Sequence, residues 1–149
     1  MTIAELSARH RRVALDSNVI IYVLEAVAPL GIVARDLLAA IEAGKLAGVI
    51  STIGVAEVCS GPARYGDLAL VERYAEALGS LPGLRIEPIT TEVAVDAAVI
   101  RGARGLGLAD AMHLASARAA GATAFVTNDR RVRGSALLEV VYLDELEVA

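Results

Sequence analysis

The chain has 149 residues, 56% of them hydrophobic, with one Phe, four Tyr, no Trp and a formal net charge of −4. That length is one domain with an aliphatic core, large enough to fold without disulfides or a structural metal. Charges at Glu25, Arg35, Asp36, Glu57, Asp96, Arg101 and Asp110 break the longest apolar stretches well short of the roughly 20 apolar residues of a membrane span, so a soluble cytoplasmic protein is expected.

In chain order, Met1–Arg12 carries Glu5, Arg9, Arg11 and Arg12, which interrupt any signal-peptide pattern and leave an extension or a basic arm touching RNA as its readings. It is set apart as an N-terminal extension open to flexibility, and residues 13–149 are taken as the domain. Val13–Asp16 reads as a short buried strand, followed by a helix from Asn18 to about Val27 and a second helix over Gly31–Ala43. Leu46–Ile50 is a strand, and Ser51-Thr52 cap a helix that runs to Cys59 and closes at Gly61-Pro62. Cys59, the single cysteine, is a small buried hydrophobe.

Asp67–Leu78 has helical periodicity and Leu84–Ile89 alternates like a strand. Thr90-Thr91-Glu92 opens another helix with a cap and an acid in its first turn. Asp110–Ala120 is an Ala-rich helix, Thr123–Thr127 a strand and Val140–Leu143 the last strand. Strands alternating with helices predict an α/β fold, a mostly parallel central sheet flanked by helices on both faces.

In such a sheet, chemistry gathers beyond the carboxyl ends of the strands. Asp16 ends the first strand and Asp129 follows the strand Thr123–Thr127. Each alone reads equally well as a helix cap. Glu57 sits among apolar or tiny residues, where a carboxylate is costly to bury without a cationic partner. Asp110 occupies a similar setting, with a capping role as its structural alternative.

If the four converge, two carboxylates about 5 Å apart repel by about 3 kcal/mol at an effective dielectric near 20. Four ionised acids then require protons or a cation. Oxygen ligands select hard ions such as Mg²⁺ or Mn²⁺, which activate water against phosphodiesters.

Four segments resemble the motifs of PIN-domain nucleases. They are Leu15-Asp16-Ser17-Asn18-Val19-Ile20-Ile21-Tyr22, Ser51-Thr52 with Val55-Ala56-Glu57-Val58, Leu108-Ala109-Asp110-Ala111-Met112-His113-Leu114-Ala115, and Phe125-Val126-Thr127-Asn128-Asp129. They occur in the family's order from Val13 onward. The resemblance implies a PIN-like three-layer sandwich with an acidic pocket for Mg²⁺ or Mn²⁺. A chain with so little outside the domain looks most like the RNA-cutting toxin of a VapBC-type toxin–antitoxin pair, dimeric and restrained by a small antitoxin. Asp16, Glu57, Asp110 and Asp129 then carry over as catalytic and metal-ligating acids, with Asn18 and Thr127 orienting them.

Where some relatives have a further acid after the fourth motif, this chain has Arg130, Arg131 and Arg133, which either meet RNA phosphates or form a solvated surface run. His113, three residues after Asp110, shares its helix face and is read as a structural histidine. The glycines of 102–107 follow a helix and lack the dinucleotide-binding pattern. A phosphotransferase using Asp16 fits poorly with Asn18 and the lone Lys45. The main alternative is an inactive PIN-like module that binds RNA or protein.

Overall fold

The structure is a computed structural model describing residues 1–135 and 138–148. Ala136, Leu137 and Ala149, within the expected 13–149 span, lie outside the described residues. Five short strands, β1 (Arg12–Leu15), β2 (Ala47–Ser51), β3 (Leu84–Glu87), β4 (Ala124–Thr127) and β5 (Glu139–Tyr142), form one sheet in the order β3-β2-β1-β4-β5. Every pairing is parallel.

Side chains alternate across each strand, and the two faces bury different cores. Val13, Leu15, Ile50, Ala124 and Val126 join one cluster with α1 (Ile3–Arg9), α2 (Ser17–Leu24) and α3 (Leu30–Glu42), together with Val58 of α4 (Thr52–Arg64) and Leu78 of α5 (Leu68–Ser80). Ala14, Val49 and Phe125 join the other with α6 (Thr91–Arg104) and α7 (Leu108–Ala119). The three-layer α/β sandwich expected from the sequence is therefore present. Among the described residues, no helix is long and apolar enough to cross a membrane.

Helix starts follow local chemistry. The Ser51 hydroxyl accepts from the Gly54 N–H at 3.1 Å, Asp67 from Leu70 at 3.1 Å, and Thr90 from Val93 at 3.2 Å. α6 stops at Gly105, whose φ of 67° is the left-handed region glycine enters without strain.

Two readings of local structure need correction. No element was expected before Val13, yet Thr2 and Glu5 form a reciprocal capping box that starts α1. Ile3 and Leu6 bury on one face of that helix. The Met1 amine donates to the Glu145 carbonyl at 3.2 Å, and the Glu147 N–H donates to Met1 at 2.9 Å, joining this segment to the chain's other end.

The second correction concerns α4, which continues through Gly61-Pro62 to Arg64. A residue before proline normally leaves the helix because its Cβ and N–H meet the ring; Gly61 has no Cβ to clash. Pro62 still forgoes the bond its missing N–H would have made to the Val58 carbonyl, and its ring crowds that carbonyl, near the end of the helix where few turns remain to be disturbed.

Candidate active site

The strand order reverses between β1 and β4, since the chain leaves β1 toward β2 and β3 and later returns on its other side. That switch point opens a crevice at the carboxyl ends of the two strands. Asp16 directly follows β1 there, and Thr127 ends β4.

Asp16 is 6% exposed, and although it stands at the N-cap position of α2 its side chain makes no capping bond. Its carboxylate turns across the crevice instead. Thr127, wholly buried, donates its hydroxyl to Asp16 Oδ2 at 2.6 Å. The Asn18 amide donates more weakly to Asp16 Oδ2 and to Thr127 Oγ1, each at 3.4 Å. The same Thr127 oxygen accepts the Asp129 N–H at 3.0 Å, so one hydroxyl ties β1 to the loop after β4.

Glu57 reaches the crevice from the second turn of α4. Its cationic partner is His113, whose Nε2 lies 2.5 Å from Glu57 Oε1 and 3.7 Å from Asp16 Oδ1. On the other side of the ring, Nδ1 meets Ser51 Oγ at 3.1 Å. Burial pushes the imidazole pKa down, but the Glu57 hydrogen bond and the charges of Asp16, Glu57 and Asp110 outweigh it and hold the group above its ordinary value. The same hydrogen bond holds the Glu57 carboxyl below the usual range against its partial burial. Asp16, Glu57 and His113 each offer a ligand atom within 4.8 Å of the others.

Asp110 lies in the first turn of α7, half-buried, and no side chain caps that helix. Burial raises its pKa, and the charges of Asp16 and then Asp129 raise it further. Repulsion from both places the three acids in one electrostatic neighbourhood. Asp129 has a different environment. The Arg131 guanidinium grips its carboxylate with Nε at 3.0 and 3.1 Å and Nη2 at 2.7 Å, and holds its pKa low.

Of the clustered arginines, Arg131 and Arg133 line an open cleft beside Asp110. Arg130 is paired with Asp144 at 2.7 Å, its guanidinium 3.8 Å from the centre of the Tyr142 ring. His113, read from the sequence as structural, is the group that links Glu57 to Asp16. The available signal was its position three residues after Asp110 on one helix face; nothing local marks its pairing with a residue 56 positions away.

A parallel sheet with a carboxylate crevice at its switch point, fed by four separate segments, defines the class of protein. A model of the PIN domain matches residues 13–136, and the chain belongs to that family. Among solved structures, it resembles a chain in a toxin–antitoxin complex from Klebsiella pneumoniae at 24% identity, covering 85% of this chain and 94% of that one, with a TM-score of 0.65. A chain of Rickettsia felis VapBC2, bound to a DNA fragment from its promoter, is similar at 18% identity over 88% of this chain and 98% of that one, with a TM-score of 0.68. Mycobacterium tuberculosis VapC20, described as a toxin that cleaves the sarcin–ricin loop, is similar at 19% identity over 76% and 86%, with a TM-score of 0.59. These likenesses carry the fold. No curated protein sequence matches.

Proposed function

We propose that this chain is a divalent-metal-dependent endoribonuclease, acting as a homodimer and as the toxin of a toxin–antitoxin pair. The observation that carries the reading is the gathering of acids from four segments around one buried aspartate at the switch point. Membership of the PIN-domain family supports nuclease chemistry. The likeness to chains of toxin–antitoxin and VapBC complexes supports a small antitoxin partner.

The donor set fits a hard cation. Glu57 and Asp129 each already hold a basic side chain, whereas Asp16 Oδ1 has only the Ser17 hydroxyl at 3.3 Å and the distant His113. The Asn18 side-chain oxygen is buried without a hydrogen-bond partner. Asp16 and Asp110 would hold the ion, with Glu57 and Asp129 flanking it. Oxygen donors of this kind favour Mg²⁺ or Mn²⁺. When bound, the cation supplies Lewis acidity for water and for the charge developing on the phosphodiester.

The chain's own groups do the rest. Thr127 fixes the Asp16 carboxylate, His113 aims Glu57, and ionised Glu57 accepts a proton from attacking water. RNA is the substrate of this reading.

The test compares wild type with Asp16→Asn and Asp110→Asn on single-stranded RNA in Mg²⁺, Mn²⁺ and EDTA. Wild type alone should cut, and only with metal. Equal cleavage by all three proteins, or cleavage in EDTA, overturns the assignment, and soluble wild type that cuts nothing points to a binding module. For the toxin role, induced expression should arrest growth and a small neighbouring open reading frame should relieve it.

A further inference from the structure

Beside Asp110 lies an open cleft of about 490 Å³, lined by Arg104, Gly105, Leu106, Gly107, Asp110, Arg131 and Arg133. It adjoins the acidic crevice, because Asp110 belongs to both. Three arginines meet there, one from the end of α6 and two from the loop between β4 and β5. The Arg104 guanidinium donates to the Arg133 carbonyl, bracing that loop against the helix end while keeping its charge. Among the described residues, the Arg133 guanidinium has no partner at all. Arg131 spends Nε and Nη2 on Asp129, which leaves Nη1.

The floor is as informative as the walls. Gly105 and Gly107 offer no side chain, and Leu106 packs against the core beneath α6 and α7. Among the described lining residues none is aromatic, so no ring is there for a base to stack on. Guanidinium groups over a bare floor suit phosphate oxygens, which carry position and no sequence information.

We propose that this cleft holds the RNA strand flanking the scissile phosphate through its phosphate backbone, with Arg104 and Arg133 as the positioning residues. The proposal rests on the nuclease reading for its substrate and adds Arg104, which the sequence did not single out.

The test measures binding of a fluorescein-labelled 12-nucleotide single-stranded RNA by anisotropy in EDTA, so that cleavage plays no part. Arg104→Gln and Arg133→Gln should each weaken binding about fivefold and lower the slope of log affinity against log salt by about 0.7 for each phosphate no longer neutralised. Arg133→Lys should recover part of the affinity. Arg73→Gln, on α5 away from the cleft and with the same charge change, should bind like wild type. A neutral methylphosphonate at one flanking linkage should abolish the difference between wild type and Arg133→Gln, whereas changing bases should not.

Thermal melts of every variant confirm that it folds. Because Arg104 also braces a loop, Arg133 carries the decision if Arg104→Gln melts early. Binding by Arg133→Gln equal to that of Arg73→Gln overturns the proposal. So does a loss that depends on base identity, or a wild-type protein that fails to bind RNA at low salt. Weakened binding by the arginine variants of a chain that cuts nothing in Mg²⁺ or Mn²⁺ leaves the cleft standing and removes the nuclease reading; cleavage with unchanged binding does the reverse.

Discussion

Replacing Thr127 by Val isolates what one hydroxyl does for the site, because the two side chains have nearly the same shape. The hydroxyl donates to Asp16 Oδ2 at 2.6 Å and accepts the Asp129 N–H at 3.0 Å, and Thr127 is wholly buried. A hydrogen bond to a charged group contributes about 1.5–3 kcal/mol, and a buried donor left without an acceptor costs about 1–3 kcal/mol. Asp129 is partly exposed, so water takes over some of the second cost.

The sum is about 3 kcal/mol, a large share of the roughly 5–15 kcal/mol that hold a domain together. For a domain of this size it lowers Tm by about 6–12 °C. Activity and metal affinity should fall by about 10- to 100-fold, as when a residue orienting a ligand is removed. The assays are a calorimetric melt in EDTA, a Mn²⁺ titration and RNA cleavage. Thr127→Ser keeps the hydroxyl and removes only a buried methyl, so it should lie closer to wild type than Val does. A Val variant melting within about 2 °C of wild type, far short of the shift expected from the hydrogen bonds, would refute the reasoning, as would a Ser variant worse than Val.

His113→Gln tests the ring between Ser51 and Glu57. Because the folded pKa of His113 is raised, the charged ring stabilises the fold fully below its unfolded value of about 6.5, and that stability is lost as pH rises through the folded value. The stability gap between wild type and His113→Gln, read by urea denaturation in EDTA, should therefore be widest near pH 5.5 and shrink toward pH 9. A gap that is flat or widens with pH contradicts this account. Gly54→Ala would place a Cβ 2.6 Å from Ile50 Cγ1 and 3.2 Å from His113 Cε1. Overpacking of about 1–3 kcal/mol should outweigh the gain of about 1 kcal/mol in helix propensity, whereas Gly102→Ala in α6, with nothing within 4 Å, should stabilise. Equal and positive shifts in the two melting curves would show that α4 has room to spare.

The sequence carried the sheet well because its strands are short apolar runs that end in polar residues at the same edge. Asp16 and Asp129 were readable for that reason, and Glu57 by its cost amid apolar neighbours. α1 was obscured by Arg9, Arg11 and Arg12, which drew attention from the Thr2–Glu5 box and the Ile3–Leu6 pair. The end of α4 was misread because glycine before proline looks like a turn, when here the glycine is what lets the helix pass. Partnerships across the fold leave no local trace. His113 with Glu57, Arg131 with Asp129 and Arg104 with the Arg133 carbonyl depend on which helices the sheet order brings together.

That sheet order also dictates when the pocket comes into being. β1 is the central strand, and its neighbours are made at different times: β2 follows after about thirty residues, β4 only after about a hundred. A nascent chain emerging from the ribosome presents β1, β2 and β3 with Asp16 and Glu57 before the groups that fix those two acids exist: Thr127 and His113, like Asp110 and Asp129, belong to the half still being synthesised. A chain interrupted partway carries half a pocket, and the seam closes only when β4 docks beside β1. For a protein whose proposed activity is the destruction of RNA, that order of assembly postpones the complete acidic site until translation of the domain is nearly finished.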